Sequence, residues 1–135
     1  MKILPMLVII VMVLACNLSH RLNVETAVSD AETIRDAEAK YYSEWRRYAS
    51  LQELVDTGLV GRVLEDGKDS GFFIELDASE NHYVLSIYPD YSQGVVNRDD
   101  LEHLSMYCDE TGILRGEVDP NKRADMHSSE MHPKH

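Results

Sequence analysis

Five side chains near the end of the chain, Met126, His127, Met131, His132 and His135 in the run DMHSSEMHPKH, are the clearest metal-binding chemistry in the sequence. Thioether and imidazole groups suit copper, and imidazole alone suits zinc or nickel. Their spacing matches no closed metal-site pattern, so they imply weak binding of a soft metal at most. The plainer reading is a solvated tail in which they are incidental, and no cofactor is expected. Asp99, Asp100 and Glu102, and then Asp109 with Glu110, form acidic clusters whose oxygens would suit calcium. No calcium-loop pattern accompanies them, and Asp109-Glu110 lies in turn-forming sequence. Nucleophilic catalysis needs a Ser or Cys beside a base, with a third group orienting that base. Cys108 shares its strand face with Leu104 and Met106, which points it toward the core. Of the six histidines, His20 and the three tail residues lie in polar segments, leaving His82 and His103 at strand edges. Paired carboxylates for hydrolysis would need a cleft, which so small a domain rarely builds. The residues imply no enzyme.

Charge narrows the partners. The chain has 13 Lys+Arg against 24 Asp+Glu in 135 residues, a formal net charge of −11. Binding a phosphate backbone needs clustered cations that displace counterions. The only local basic spots are Arg46-Arg47 and Asn121-Lys122-Arg123, both close to acids. Nucleic acid is therefore not an expected partner.

Residues 1–15 read as an export signal: Lys2, then the apolar run from Ile3 to Ala15, shorter than the roughly 20 residues of a membrane span. The stretch VLAC (13–16) resembles the lipobox of bacterial lipoproteins, with acceptable Val13 and Ala15 but a bulky Leu14. Either signal peptidase would cut before Cys16, and lipidation of Cys16 is the expected outcome. Ordinary secretion and a retained anchor are the alternatives. The polar residues 16–23 suit a short tether. With Cys16 acylated, Cys108 is an unpaired thiol in an oxidising compartment and should be buried; with Cys16 free, one disulfide between them is open. Asn17 in place of an aspartate favours the outer membrane in a Gram-negative host.

The elements that would carry a site follow. Val24, Ala27/Val28, Ala31, Ile34, Ala37, Tyr41, Trp45 and Tyr48 recur at spacings of three and four, predicting one long amphipathic helix over 24–49. Small residues dominate its first half and aromatics its second. The half from Ile34 onward should pack on the core, while Val24, Ala27, Val28 and Ala31 are free to meet a partner. Tyr41, Tyr42, Trp45 and Tyr48 read as packing against a sheet, with a carbohydrate or peptide platform as the alternative. Ser50 with Glu53 forms a capping box for a second helix, Leu51 to Asp56, ending at Gly58. Period-two alternation then predicts strands at Phe72–Asp77, His82–Tyr88 and Leu104–Cys108, with a short fourth at 113–115. The fold expected is α+β: two helices on a small antiparallel sheet of three to four strands over 24–116, with a disordered tail over 117–135. Tyr88, Tyr91 and the 90–103 loop form a second candidate contact surface, since loops vary on a fixed scaffold.

This order of elements resembles the headgroup of type IV pilins and pseudopilins. AEAKYYSEW followed by SLQELVDTGLV resembles the family's helix end and its L-x-x-L-x-x-x-G-L-(I/L) segment. GKDSGFFIEL is similar to the first strand G-x-K-S-G-Y-x-F-x-(L/V), and MYCDETGILR to the ending (S/F)-(F/Y)-x-(T/V)-D-E-(T/S)-G-x-I-R. The likeness covers Ile34 to Arg115. Pilins also carry a Gly before the prepilin cut, a glutamate at the fifth mature position and about 20 apolar residues. None of these stands here, which puts filament assembly in doubt. The resemblance implies a monomeric, pilin-like domain tethered to the cell envelope by a lipid on Cys16, acting through contact with another envelope protein. The alternatives are a periplasmic or secreted location, and a small metal-handling protein using the Met/His tail.

Overall fold

A computed structural model describes residues 4–90, 104–119 and 121–132, with side chains described from position 24 onward. The fold is α+β, with two helices and an antiparallel sheet. Helix α1 runs from Leu4 to Trp45 without a break. Pro5 sits in its first turn, where a missing N–H costs nothing, and no Gly or Pro follows until Gly58. Residues 16–23, expected as a tether, are helical too. Among the described residues, no helix is long and apolar enough to cross a membrane. Arg46 takes a left-handed conformation (φ 56°) and ends α1.

The apolar stripe of α1 is buried from its start. Val24, Ala27, Ala31, Ile34, Ala37 and Tyr41 all belong to the core, and Val28 packs against its rim. The expectation that residues 24–31 stand free for a partner is thus overturned. The alanines are small because α1 lies close over the inner sheet face, not because that face is unused. Position 38 falls on the same stripe and carries a glutamate with 0% exposure. Trp45, expected in the core, is instead 59% exposed, because the helix ends beside it and its ring stacks on Tyr41.

Helix α2 spans Leu51–Asp56 with the Ser50–Glu53 capping box formed in both directions. Gly58 follows at φ 74°, the left-handed conformation that closes a helix most cheaply without a Cβ. After a 3-10 turn at Arg62–Leu64, the sheet is, among the described residues, a simple meander of six strands in sequence order. They are β1 (Lys68–Asp69), β2 (Phe72–Ala78), β3 (Tyr83–Pro89), β4 (Ser105–Asp109), β5 (Arg115–Glu117) and β6 (Ser129–Glu130). Phe72, Ile74, Tyr83, Leu85, Ile87, Met106 and Cys108 face the helix; the alternate residues form an outer face.

Six strands replace the three to four expected, and the tail is not disordered throughout. Its main chain is fastened at both ends of a crossing. The Ala124 N–H donates to Ser105 Oγ at 2.8 Å, which buries Ala124 and Ser105 together. Met131 N–H donates to the Leu114 carbonyl at 2.8 Å, bringing β6 alongside β5. Gly116 makes room there: a Cβ at that position would stand 2.8 Å from Met131 Sδ and 2.9 Å from Leu104 Cδ1.

Candidate functional site

The fastened tail turns one patch of the outer sheet face into a groove. Antiparallel register sets Phe73 opposite both Lys68 and Tyr88. The Phe73 and Tyr88 rings lie 5.4 Å apart between centroids, tilted by 39°. Lys68 Nζ sits 4.8 Å from the centre of the Phe73 ring. From the tail, Arg123 Cζ lies 3.7 Å from the centre of the Tyr88 ring. One face of each ring is thereby capped by a cation, an arrangement its quadrupole favours.

Glu75, two residues along β2 on the same face, organises the polar side. Tyr88 donates its hydroxyl to Glu75 Oε1 at 2.5 Å, which, with burial, pushes the phenol above its ordinary range. Glu75 Oε2 is 3.9 Å from Arg123 Nη1. Lys122 reaches Asp119 at 3.8 Å. Phe73, Tyr88, Pro89, Ser105, Asn121, Lys122 and Arg123 enclose about 360 Å³. An apolar floor with a few convergent polar groups is what a small binding site requires. Among the described residues, nothing in the groove is a nucleophile with a base beside it.

A second hollow of about 380 Å³ lies where α1 ends, lined by Trp45, Arg46, Arg47, Tyr48, Ser50, Glu53 and residues 78–80. Its strongest polar group is already engaged. Arg47 makes a two-point pair with Glu53 at 2.6 and 3.2 Å and donates to Tyr41 Oη at 2.8 Å. These bonds, with the Ser50 N–H, hold the Glu53 carboxyl down at about 2. The network closes the capping box and ties α2 to α1, which is a structural task.

The residues singled out from sequence fall as follows. Cys16 lies within α1, and its side chain is outside the described residues, as are Tyr91, the 91–103 loop and His135. Of the tail ligands, Met126, His127 and His132 are exposed, whereas Met131 is packed against the core. Among the described residues, no three His, Cys, Asp or Glu side chains gather as a metal would need. Val24, Ala27 and Ala31 are core residues. Cys108 is a free, fully buried thiol 3.6 Å from Tyr83 Oη, and burial raises it above its ordinary range. Asp109 accepts from Thr111 N at 3.0 Å and Thr111 Oγ1 at 2.6 Å, the turn-making role expected of it.

Of the groove's lining, Tyr88 was expected on a contact surface, but its union with Phe73 and the tail was missed. Its signals were present: the basic spot Asn121-Lys122-Arg123, and two aromatics at outward positions of neighbouring strands. What joins them are tertiary contacts of the tail, the Ala124–Ser105 bond and Arg123 over Tyr88 beside Glu75, which have no sequence signature. Comparison with protein-family models, with characterised proteins and with solved structures finds no match to this chain.

Proposed function

We propose that this chain is a non-catalytic domain of the bacterial cell envelope, pilin-headgroup-like in layout, that works as a monomer by contacting another envelope protein. A lipid on Cys16 tethers it to the membrane, the outer membrane being favoured. The observation that carries the contact reading is the groove of the outer sheet face: side chains fixed on a sheet, with no catalytic pair among the described residues. The order of long helix, capped short helix and antiparallel meander supports the pilin-like reading, and VLAC supports the tether. With residues 24–31 committed to the core, the outer face takes over as the contact surface.

The test is the intact mass of the mature protein from a membrane fraction, with its N-terminal peptide sequenced. A diacyl or triacyl mass on Cys16 is expected. An unmodified Cys16 in the soluble fraction refutes the tether and makes the domain periplasmic or secreted. Photo-crosslinking residues placed over the whole surface of the tethered protein test the contact reading, which requires that a protein partner be captured in cells.

A further inference from the structure

We propose that the groove between β2–β3 and the tail takes an acidic, extended segment of the partner polypeptide, with its carboxylates seated on Lys122 and Arg123. The inference rests on the protein-contact reading and names the chemistry of what is contacted.

Charge is the first argument. On a chain of net charge −11, Lys68, Lys122 and Arg123 gather around one pair of rings. The acids beside them do not use them up. Both ion pairs, Lys122 to Asp119 at 3.8 Å and Arg123 to Glu75 at 3.9 Å, are at the long limit. A guanidinium carries five N–H donors and matches a carboxylate in fork geometry. The second argument is which surfaces are covered. Because Lys68 and Arg123 each lie over one face of Phe73 and Tyr88, those faces present positive charge rather than a surface on which a sugar could stack. The third is position. Arg123 is held over Tyr88 while the Ala124–Ser105 bond fixes the backbone next to it. The cation is therefore placed before any ligand arrives. The acidic remainder of the chain repels an acidic partner, but screening confines that repulsion to about 8 Å at physiological salt. Attraction at the groove is correspondingly local and specific.

The test is an amide-resolved NMR titration of the full chain with hexaglutamate at physiological ionic strength. Saturable shifts confined to Phe73, Tyr88, Ser105 and residues 121–124 are expected. Arg123→Gln and Lys122→Gln should each weaken binding about tenfold. Arg123→Lys, which keeps the charge but loses the guanidinium fork, should weaken binding less than Arg123→Gln, and Lys40→Gln on the exposed helix face should change nothing. Absent or scattered shifts, or equal loss with Lys40→Gln, overturn the proposal. Tighter binding of oligogalacturonate at the same residues also overturns it, in favour of an anionic polysaccharide. A failed titration with a partner protein still crosslinked elsewhere on the domain removes this inference alone. Failure to crosslink any protein removes the contact reading beneath it.

Discussion

Replacing Glu38 with glutamine should remove a pH dependence that the core imposes on stability. Glu38 Oε2 accepts the Ala49 N–H at 2.9 Å, while Oε1 is buried with no partner. Tyr41 on α1, Tyr48 on the connection, Glu53 on α2 and Tyr83 on β3 face it. Burial pushes its carboxyl up from 4.5 to about 7; the Ala49 N–H opposes the rise and the Glu53 charge adds to it. Between those values the folded state binds the proton more tightly than the unfolded one, so stability falls as pH rises. The loss is near zero below pH 4, about 1.4 kcal/mol at pH 5.5 and about 3 kcal/mol by pH 8, where it levels off. Glutamine keeps an acceptor for Ala49 but brings an N–H₂ to the unpartnered side, a constant cost of about 1–3 kcal/mol. The slope of the difference between variant and wild type is therefore the diagnostic. Asp30, raised to about 8 mainly by burial and then by Asp69, tilts both proteins alike and cancels. Urea titrations from pH 4 to 8 followed by far-UV circular dichroism give the two curves; Trp45 is too exposed to report well. Parallel curves for the two proteins would refute the reasoning, because Glu38 would then ionise in the fold as it does in the open chain.

Acid should act through Glu53 in the opposite sense. Its folded carboxyl, held at about 2 against an ordinary 4.5, contributes stability above pH 4.5 that is lost as pH falls toward 2. Half-exposure and screening limit the effect to about 1 kcal/mol, and Glu53→Gln should flatten the acid limb of a urea titration extended from pH 5 down to pH 2. Ser105→Ala removes the acceptor of the buried Ala124 N–H and should cost about 1–3 kcal/mol. It should also make the chain after Glu117 susceptible to limited proteolysis, with cleavage sites read by mass spectrometry. Gly58→Ala meets no steric obstacle but must adopt φ 74°, so its cost in a urea titration should be about 1–2 kcal/mol from the backbone alone.

Features set by neighbouring residues were legible. The Ser50–Glu53 box and Gly58 bracket α2, and alternation marks β2 and β3 because each has seven residues over which a period can show. Strands β1 and β6, with two residues each, contain no period at all; only their partners make them strands. The fourth strand expected at 113–115 lies at Arg115–Glu117, since its register is set by pairing with Ser105–Tyr107. Glu38 escaped notice because a carboxylate at a stripe position reads as solvated until a backbone N–H from eleven residues away is seen to hold it. Ala27 and Ala31 misled in the other direction: small side chains look dispensable in sequence, yet they set how closely a helix can approach a sheet. The groove depends on contacts between residues far apart in the chain, and its wall lay in a segment whose composition suggests no structure.

Because the floor of the groove comes from residues 73–89 and its wall from 121–124, the site has an order of construction. Synthesis runs from the N-terminus, so the helices and the paired β2 and β3 can exist before the residues that roof Tyr88 have been made. A chain interrupted after β5 would still possess α1, α2 and five strands, and most of the core. It would expose Phe73 and Tyr88 without Arg123 and leave Ser105 with nothing to receive. The groove is therefore assembled only after residues 121–124 have been made, and any binding at it reports a chain completed at least that far.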